Sequence, residues 1–238
     1  MSEEPVLIWE RPEPPSRPTP SPLSRDAIVR AAIGLADADG LAAVSLRKVA
    51  AALDAGPMRL YGYLSTKEEL LDLMVDEVYG EIPLPGPDAG DWRAKLADIA
   101  VRTRAVARRH EWFSELLGGR PQLGPNALAH LEAGLAAFEG VPGFANIDRA
   151  LQAFGTVRGY VVGSISAELA ERRAERASGL NEAQWQARSA PYLLRMLETG
   201  RYPNLHRVVA EAEHPDGASG FLAGLNYVLD GIAANIPD

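Results

Sequence analysis

The side chains with the clearest capacity for chemistry in this 238-residue chain are cations clustered in its first third. The stretch from position 45 to position 67 holds four cations and a single carboxylate: Arg47, Lys48, Arg59, Lys67 and Asp54. Its net charge is therefore +3, whereas the formal net charge of the whole chain is −8. Contact with nucleic-acid phosphates requires such a local excess of positive charge, and an arginine can also pair with the edge of a guanine. The pattern predicts a nucleic-acid contact confined to one patch of an acidic protein.

Residue patterns typical of enzymes and metal sites are missing from the sequence. The absence of cysteine excludes disulfides, thiolate metal sites and cysteine nucleophiles. None of the four histidines has the paired spacing of a metal site, and His130 is expected on a helix surface. Ser164 and Ser166 lie in an apolar stretch without the glycines of a nucleophile elbow. We therefore predict no catalytic residue, no metal site and no cofactor.

Capping residues and apolar spacing predict three short helices around the cationic patch. The first begins at an N-cap on Ser24, and Ser45 caps the second. Asp54-Ala55-Gly56 then forms a tight turn, and Pro57 begins a third helix that ends near Tyr63. Two short helices joined by a three-residue turn make a helix-turn-helix pattern, which is a common DNA-binding arrangement.

Proline-rich stretches divide the chain into segments. Residues 1–22 hold seven of the eighteen prolines, so they are expected to form an extended arm. A solvated leader is favoured for this arm over a DNA contact through Arg11 or Arg17. Prolines also interrupt the helical pattern between positions 83 and 87. The predicted segments are an arm at 1–22, a helix-turn-helix domain at 23–82 and a larger C-terminal domain at 83–238.

The C-terminal part of the sequence predicts further helices and no strands, so the expected fold class is all-α. A long helix over 146–178 carries a row of glycines that suits the close approach of a partner helix: Gly155, Gly159 and Gly163. A helix over 185–197 is expected to break near Pro191. Hydrophobic residues make up 47% of the chain and charged residues 24%, which is typical of soluble globular proteins. No apolar run approaches the ~20 residues that span a bilayer, so the expected compartment is the cytoplasm and no membrane contact is predicted.

Three motifs within about residues 24–80 are Ser45-Leu46-Arg47-Lys48-Val49-Ala50, Leu60-Tyr61 and Lys67-Glu68-Glu69-Leu70-Leu71. They resemble the DNA-binding domain of the TetR family of bacterial transcriptional regulators. Further motifs are Trp92-Arg93, Arg109-His110-Glu111-Trp112, Gly119-Arg120-Pro121 and Leu123-Gly124-Pro125-Asn126-Ala127-Leu128. These are similar to the C-terminal domain of the tetracycline repressors. The resemblance implies a homodimer that binds double-stranded operator DNA and releases it when a small molecule occupies each C-terminal domain.

The resemblance also implies which residues meet the DNA. One is Arg47, near the start of the second helix, and another is Lys67, at the start of the next helix after the recognition helix. The others belong to the recognition helix: Pro57, Met58, Arg59, Tyr61, Gly62 and Tyr63. Arg59 is the best candidate for reading a base, because a guanidinium can donate two hydrogen bonds to guanine. Tyr63 and Lys67 match phosphate-contact positions of the family, and Lys67 also lies at a helix N-terminus.

An effector pocket is implied in the second domain. Its expected lining is apolar with a few polar anchors: Trp112, Phe113, Leu116, Leu117, Arg120, Leu128, Leu131, Phe154 and Arg158. Tetracycline repressors place a magnesium-binding histidine at the position that Leu116 holds here, and a leucine cannot coordinate a hard cation. The implied effector is therefore mostly apolar and independent of metal. Arg120 or Arg158 could pair with an acidic group on it, although a structural ion pair is favoured for Arg158.

The function that these observations favour is a ligand-responsive, dimeric transcriptional regulator, and a repressor in preference to an activator. The dimer interface is expected on the helices over 146–178 and 219–236, because both are too apolar for a monomer surface. Two alternatives are an all-α enzyme that uses the second-domain pocket and an architectural DNA-binding protein without a ligand.

Overall fold

The computed structural model describes residues 7–15, 23–86, 88–119, 121–213 and 217–236, and across these ranges it contains helices and no strand. The prediction of an all-α fold is confirmed. The helices are α1 Arg25–Asp39, α2 Leu46–Ala52, α3 Pro57–Leu60, α4 Lys67–Gly80, α5 Trp92–Arg109, α6 Phe113–Leu116, α7 Pro125–Ala136, α8 Ile147–Ser178, α9 Glu182–Glu198, α10 Pro203–Glu211 and α11 Gly217–Ala234. None of them is long and apolar enough to cross a membrane.

Side-chain caps begin the helices of the N-terminal part. Ser24 Oγ accepts a hydrogen bond from the Ala27 amide at 3.1 Å, and Ser45 Oγ accepts one from the Lys48 amide at 3.3 Å. Both caps agree with the sequence prediction. They could be predicted because an N-cap side chain accepts a hydrogen bond from an amide in the first turn of its own helix. The turn between α2 and α3 depends on Asp54, whose φ is +50°, a conformation that aspartate tolerates better than most residues.

Helix α3 is shorter than predicted, since it ends at Leu60 and not near Tyr63. The Gly62 and Tyr63 amides donate to the carbonyls three residues earlier, at 3.2 and 2.9 Å. Bonds of this span close a tighter turn than the α-helix does. The chain is therefore already turning toward α4 where the sequence pattern predicted one more helical turn.

Helix α8 is the central helix of the C-terminal part, where it packs against α5, α6, α7 and α11. It begins where predicted, with Asn146 Oδ1 accepting from the Asp148 amide at 2.8 Å, and Gly179 ends it in the left-handed conformation at φ +70°.

The expected break of α9 at Pro191 is wrong, because the helix runs through that residue from Glu182 to Glu198. Proline removes one backbone hydrogen bond, which orphans the carbonyl four residues earlier, at Ala187. Ala187 is exposed, so water can hydrate that carbonyl. Helices α9 and α10 also leave most of their large apolar side chains exposed: Trp185, Tyr192, Leu194, Leu205, Val208 and Val209.

Candidate functional site

The exposed side of α2, α3 and the first turn of α4 carries most of the predicted DNA contacts. The solvent-exposed ones are Arg47, Pro57, Met58, Arg59, Tyr61, Gly62 and Lys67. Met58 is 81% exposed, although methionine is usually buried, so this helix presents apolar as well as cationic groups. Arg47, Arg59 and Lys67 form no ion pair with any residue that the structure describes, so their charges remain available to phosphates or bases.

Tyr63 does not fit its expected role as a phosphate contact. The residue is only 7% exposed and belongs to the hydrophobic core. Its hydroxyl donates a hydrogen bond of 2.7 Å to the Leu23 carbonyl, which fastens the start of the first helix to the turn after α3. A buried tyrosine normally uses its hydroxyl in this way, so Tyr63 is a structural residue of the helix-turn-helix unit.

The first part of the proline-rich arm is not a solvated leader. Ile8 is 3% exposed within the core, and Trp9 packs partly buried against it. Arg11 forms an ion pair with Glu69 in the first turn of α4. Arg17 lies outside the described residues.

A small cavity lies between α4, α5, α7 and α8. It has two adjoining parts of about 30 Å³ each, which share the side chains of Tyr79, His130, Phe154 and Arg158. Its other walls are mostly aliphatic: Ile99, Ala100, Thr103, Leu117, Pro121, Gln122, Ala127, Leu131, Val157, Val161 and Val162. Drug-sized ligands occupy sites of roughly 300–1,000 Å³, so the cavity must enlarge before it can hold one.

Four of the predicted pocket residues meet in this cavity: Leu117, Leu131, Phe154 and Arg158. Leu128 does not, because it lies 45% exposed on the outer face of α7. Trp112, Phe113 and Leu116 do not line the cavity either, although the ring of Phe113 meets that of Tyr79 edge-on at 5.2 Å. Arg120 lies outside the described residues.

Sequence reasoning missed the two polar side chains at the centre of the cavity, Tyr79 and His130. Both continue an apolar stripe, since Tyr79 follows Val75 by four residues and His130 follows Ala127 by three. That helical spacing places them on the buried faces of α4 and α7 and was the signal available.

His130 is buried, so its expected position on a helix surface is wrong. Burial in an apolar setting, together with the nearby charge of Arg158, lowers the pKa of its imidazole to about 4. The Thr103 hydroxyl donates to the Ile99 carbonyl at 2.7 Å, so it must accept the 3.3 Å hydrogen bond from His130 Nε2. His130 Nδ1 then carries a lone pair, without a partner among the residues described.

The neutral His130 makes stability depend on pH. Its pKa is depressed in the folded chain, so the stabilisation is complete above the unfolded pKa of 6.5 and declines as the pH falls toward 4. We expect the free energy of unfolding to lose about 3 kcal/mol over that interval from this residue alone. His130→Gln keeps a donor for Thr103 and should flatten the decline, as measured by urea unfolding at pH 7.5, 6 and 4.5. An equally steep decline in the variant would contradict the assignment.

Arg158 has no structural ion pair with any described residue, contrary to expectation. Its charge acts on Tyr79 and on His130, which places the guanidinium at the polar side of the cavity. Because the residue is exposed, its charged group can remain hydrated while its stem packs at the cavity. The cavity thus presents aromatic walls, a hydrogen-bond acceptor and one cation.

A hydrogen-bonded cluster joins α1 to the corner between α5 and α6. Asp37 accepts from Trp112 Nε1 at 2.7 Å and contacts His110 Nδ1 at 2.8 Å, while His110 Nε2 contacts Glu81 at 3.1 Å. Arg109 donates to the same Glu81 at 2.7 Å. Burial alone would raise the pKa of Glu81, but the hydrogen bonds from Arg109 and His110 outweigh it and lower that pKa. The cluster fixes α1 and the end of α4 against the corner between α5 and α6.

Asp76 makes a second link between these parts. It is a buried residue of α4, and its carboxylate accepts from the Ala127 amide at 2.8 Å and from Asn126 Nδ2 at 3.1 Å, at the start of α7. Burial raises the pKa of this carboxyl even though these hydrogen bonds oppose the change. Gly124 is required here, because a Cβ at that position would overlap the Asp76 carboxylate.

No group of three histidine, aspartate or glutamate side chains converges on a possible metal site in the described ranges. The cavity is lined by carbon walls, three aromatic rings and a few polar atoms, a composition that is typical of sites for organic molecules.

Comparison with known proteins places these features in context. A family profile described as the tetracyclin repressor-like C-terminal domain matches residues 84–236. The HTH-type transcriptional repressor DrrR1 of Streptomyces coeruleorubidus is 38% identical over 228 residues, which cover 95% of this chain and 83% of the relative. An HTH-type transcriptional regulator of Saccharopolyspora erythraea is 38% identical over 233 residues, which cover 97% and 92%.

Solved structures show the same architecture. Streptomyces coelicolor ActR in complex with actinorhodin superposes with a TM-score of 0.78 at 26% identity, covering 92% of this chain and 99% of that one. ActR in complex with (S)-DNPA gives a TM-score of 0.75 at 25% identity and covers 91% and 100%. The fold is therefore shared with ActR, a TetR family protein that has been solved with small molecules bound.

Proposed function

The chain belongs to the TetR family of transcriptional regulators, and from that membership we propose which of its residues contact the operator and which chemical class of effector releases it. It is a DNA-binding regulator that acts as a homodimer and responds to a small molecule, and it is not an enzyme. The comparisons support this function over the all-α enzyme and over an architectural protein without a ligand. We propose that it acts in the cytoplasm, because bacterial operator DNA lies there.

The observation that carries the operator proposal is a set of three exposed cations on α2, α3 and the start of α4, which form no ion pair with any described residue. Arg59 projects from α3, Arg47 lies in α2, and Lys67 begins α4. In a dimer two such surfaces face half-sites about one duplex turn apart, ~34 Å. Arg59 is proposed to read a base, whereas Lys67 is proposed to contact a phosphate, helped by the positive end of the α4 dipole.

Two alanine variants test this assignment on an operator selected from a random DNA pool. Arg59→Ala should weaken binding by about 1–3 kcal/mol and relax the preference for one base position. Lys67→Ala should weaken all sequences alike and lower the slope of log K against log salt by about one. Arg195→Ala, which removes an exposed cation from α9, is the matched control and should change neither quantity. Unchanged binding by the double variant Arg59→Ala/Lys67→Ala would defeat the proposal.

The proposed effector is a flat, largely apolar polycyclic molecule with an acidic group. The aromatic rings of Tyr79, His130 and Phe154 suit a flat ring system, and Arg158 suits an anion. ActR, which has this fold, is solved with actinorhodin. Carbon walls and a leucine at position 116 support recognition without a metal ion.

The small size of the cavity suggests how the effector acts on DNA binding. A ligand must displace wall residues, and one wall residue, Tyr79, belongs to α4, whose first turn carries Lys67. Enlarging the cavity therefore favours another position of α4 and another spacing of the two recognition helices, which lowers operator affinity through linkage. In the same titration actinorhodin, without magnesium, should raise the operator Kd. A tetracycline that acts only with magnesium would argue against this class of effector.

A further inference from the structure

The N-terminal segment of residues 7–15 is built into the helix-turn-helix unit. Ile8–Glu10 forms a single 3-10 turn, and Ile8 is buried in the core. The Arg25 guanidinium donates to the Pro12 carbonyl and to the Tyr63 carbonyl, each at 3.4 Å. The segment is thereby held across the start of α1 and the turn that follows α3.

Within this segment, Arg11 reaches the first turn of α4. Its Nη1 donates to Ser65 Oγ at 2.9 Å and to Glu69 Oε2 at 3.1 Å, and its Nη2 donates to Glu69 Oε1. Glu69 Oε2 also accepts from the Ser65 amide at 2.6 Å, while the Glu69 amide donates to Thr66 Oγ1 at 3.1 Å. Two chain segments more than fifty residues apart therefore close around one helix start.

The charges explain why this contact matters for DNA. Glu69 lies two residues after Lys67, at the helix end where a phosphate is proposed to bind. An uncompensated carboxylate there would repel the phosphate and offset both the Lys67 charge and the helix dipole. Burial alone would raise the pKa of Glu69, but the hydrogen bonds from Arg11 and the Ser65 amide lower it, so the carboxyl stays ionised and needs a counter-charge.

We propose that Arg11 is a positioning residue for operator binding, which neutralises Glu69 and orders the first turn of α4 so that Lys67 can hold a phosphate. The guanidinium is engaged by Glu69 and Ser65 and is 27% exposed, so it acts through α4. This inference rests on the proposed operator contact of Lys67. It assigns a role in DNA binding to a residue outside the helix-turn-helix motif.

The test uses the full-length dimer and an operator fragment selected from a random pool by the wild-type protein. Arg11→Ala should weaken operator binding about 5- to 20-fold, because it exposes the phosphate site to the Glu69 charge, and should leave the salt slope nearly unchanged. Arg11→Ala/Glu69→Gln should recover most of the affinity, since glutamine removes the charge and still accepts from the Ser65 amide. The operator affinity of Arg11→Lys should lie between the affinities of these two variants. Glu68→Gln, at the exposed neighbouring position, is the matched control for the loss of one negative charge.

The outcomes separate three roles for Arg11. Recovery in the double variant, beyond the effect of Glu68→Gln, supports the positioning role. If Arg11→Ala/Glu69→Gln still binds the operator weakly, and if it and Arg11→Ala both have a lowered melting temperature, then Arg11 only stabilises the fold. That result would overturn the inference. Weak binding with a salt slope reduced by about one would mean that Arg11 itself contacts DNA, and would overturn it as well. If Lys67→Ala binds like the wild type, the proposed phosphate contact of Lys67 fails and this inference fails with it. If Lys67→Ala is weakened but Arg11→Ala is not, only this inference fails.

Discussion

Leucine in place of Gly159 should convert the dimer into a monomer and lower operator affinity by roughly 10²- to 10⁴-fold, because each half-site would then be bound without the other. The expected size follows from avidity, since two linked recognition helices bind far more tightly than one. Light scattering should report a particle of one chain, 25.6 kDa, where the wild type has twice that mass.

The physical reason lies in the glycine row of α8. A Cβ built on Gly155, Gly159 or Gly163 meets no described residue outside the adjoining helix backbone within 4 Å, so packing within the subunit does not require these glycines. They lie on the side of α8 opposite its buried residues, next to the exposed Leu151. Helix α11 also has large exposed apolar side chains, including Tyr227 at 77%. A row of small residues between apolar side chains suits a closely approaching helix of the partner subunit.

Gly159→Leu separates assembly from folding. Leucine has the higher helix propensity, by about 0.8–1 kcal/mol, so the isolated subunit should be no less stable. Gly34→Leu, at an exposed position of α1 that is equally open, is the matched control and should remain dimeric. A dimeric Gly159→Leu variant with normal operator affinity would place the interface elsewhere. Aspartate at Leu225 would test folding instead, because Leu225 is 1% exposed within its own chain.

Asp37→Ala should lower the free energy of unfolding by about 2–4 kcal/mol and the melting temperature by roughly 5–15 °C. The change removes the acceptor of the buried Trp112 Nε1 and one of the two carboxylates that contact His110. A buried donor that has lost its acceptor keeps its full desolvation penalty. Removing the acceptor therefore lowers the free energy of unfolding by more than breaking an exposed ion pair does. Operator affinity should fall as well, because α1 loses its attachment to the corner between α5 and α6.

Asp39→Ala is the control for this prediction. Asp39 belongs to the same helix, is exposed and forms no ion pair with a described residue, so its replacement should change stability by less than about 0.5 kcal/mol. Asp37→Asn should be intermediate, since its amide oxygen still accepts from Trp112. Thermal unfolding followed by circular dichroism measures all three variants. Equal melting temperatures for Asp37→Ala and Asp39→Ala would show that the hydrogen-bonded cluster does not stabilise the contact between α1 and the corner between α5 and α6.

The sequence by itself determined the features that depend on neighbouring residues. Helix starts at Ser24, Ser45 and Asn146 could be predicted because a cap forms within one turn of the helix that it begins. The fold class followed from helical periodicity, and the cationic patch followed from counting charges over one short stretch. The family motifs could be read for the same reason, since each of them is contiguous in the chain.

The tertiary structure decided which side chains are buried and what they meet. Periodicity shows that His130 shares a face with Ala127, but only the packing of α7 on α4 and α8 makes that face the wall of a cavity. Tyr63 and Leu128 were placed wrongly for the same reason, because burial is set by residues far away in sequence. Arg11 and Glu69 are separated by 58 positions, and no local pattern predicts an ion pair at that distance. Local hydrogen bonds and helical spacing are encoded along the chain, whereas burial and charge pairing arise only when distant segments exclude water between them.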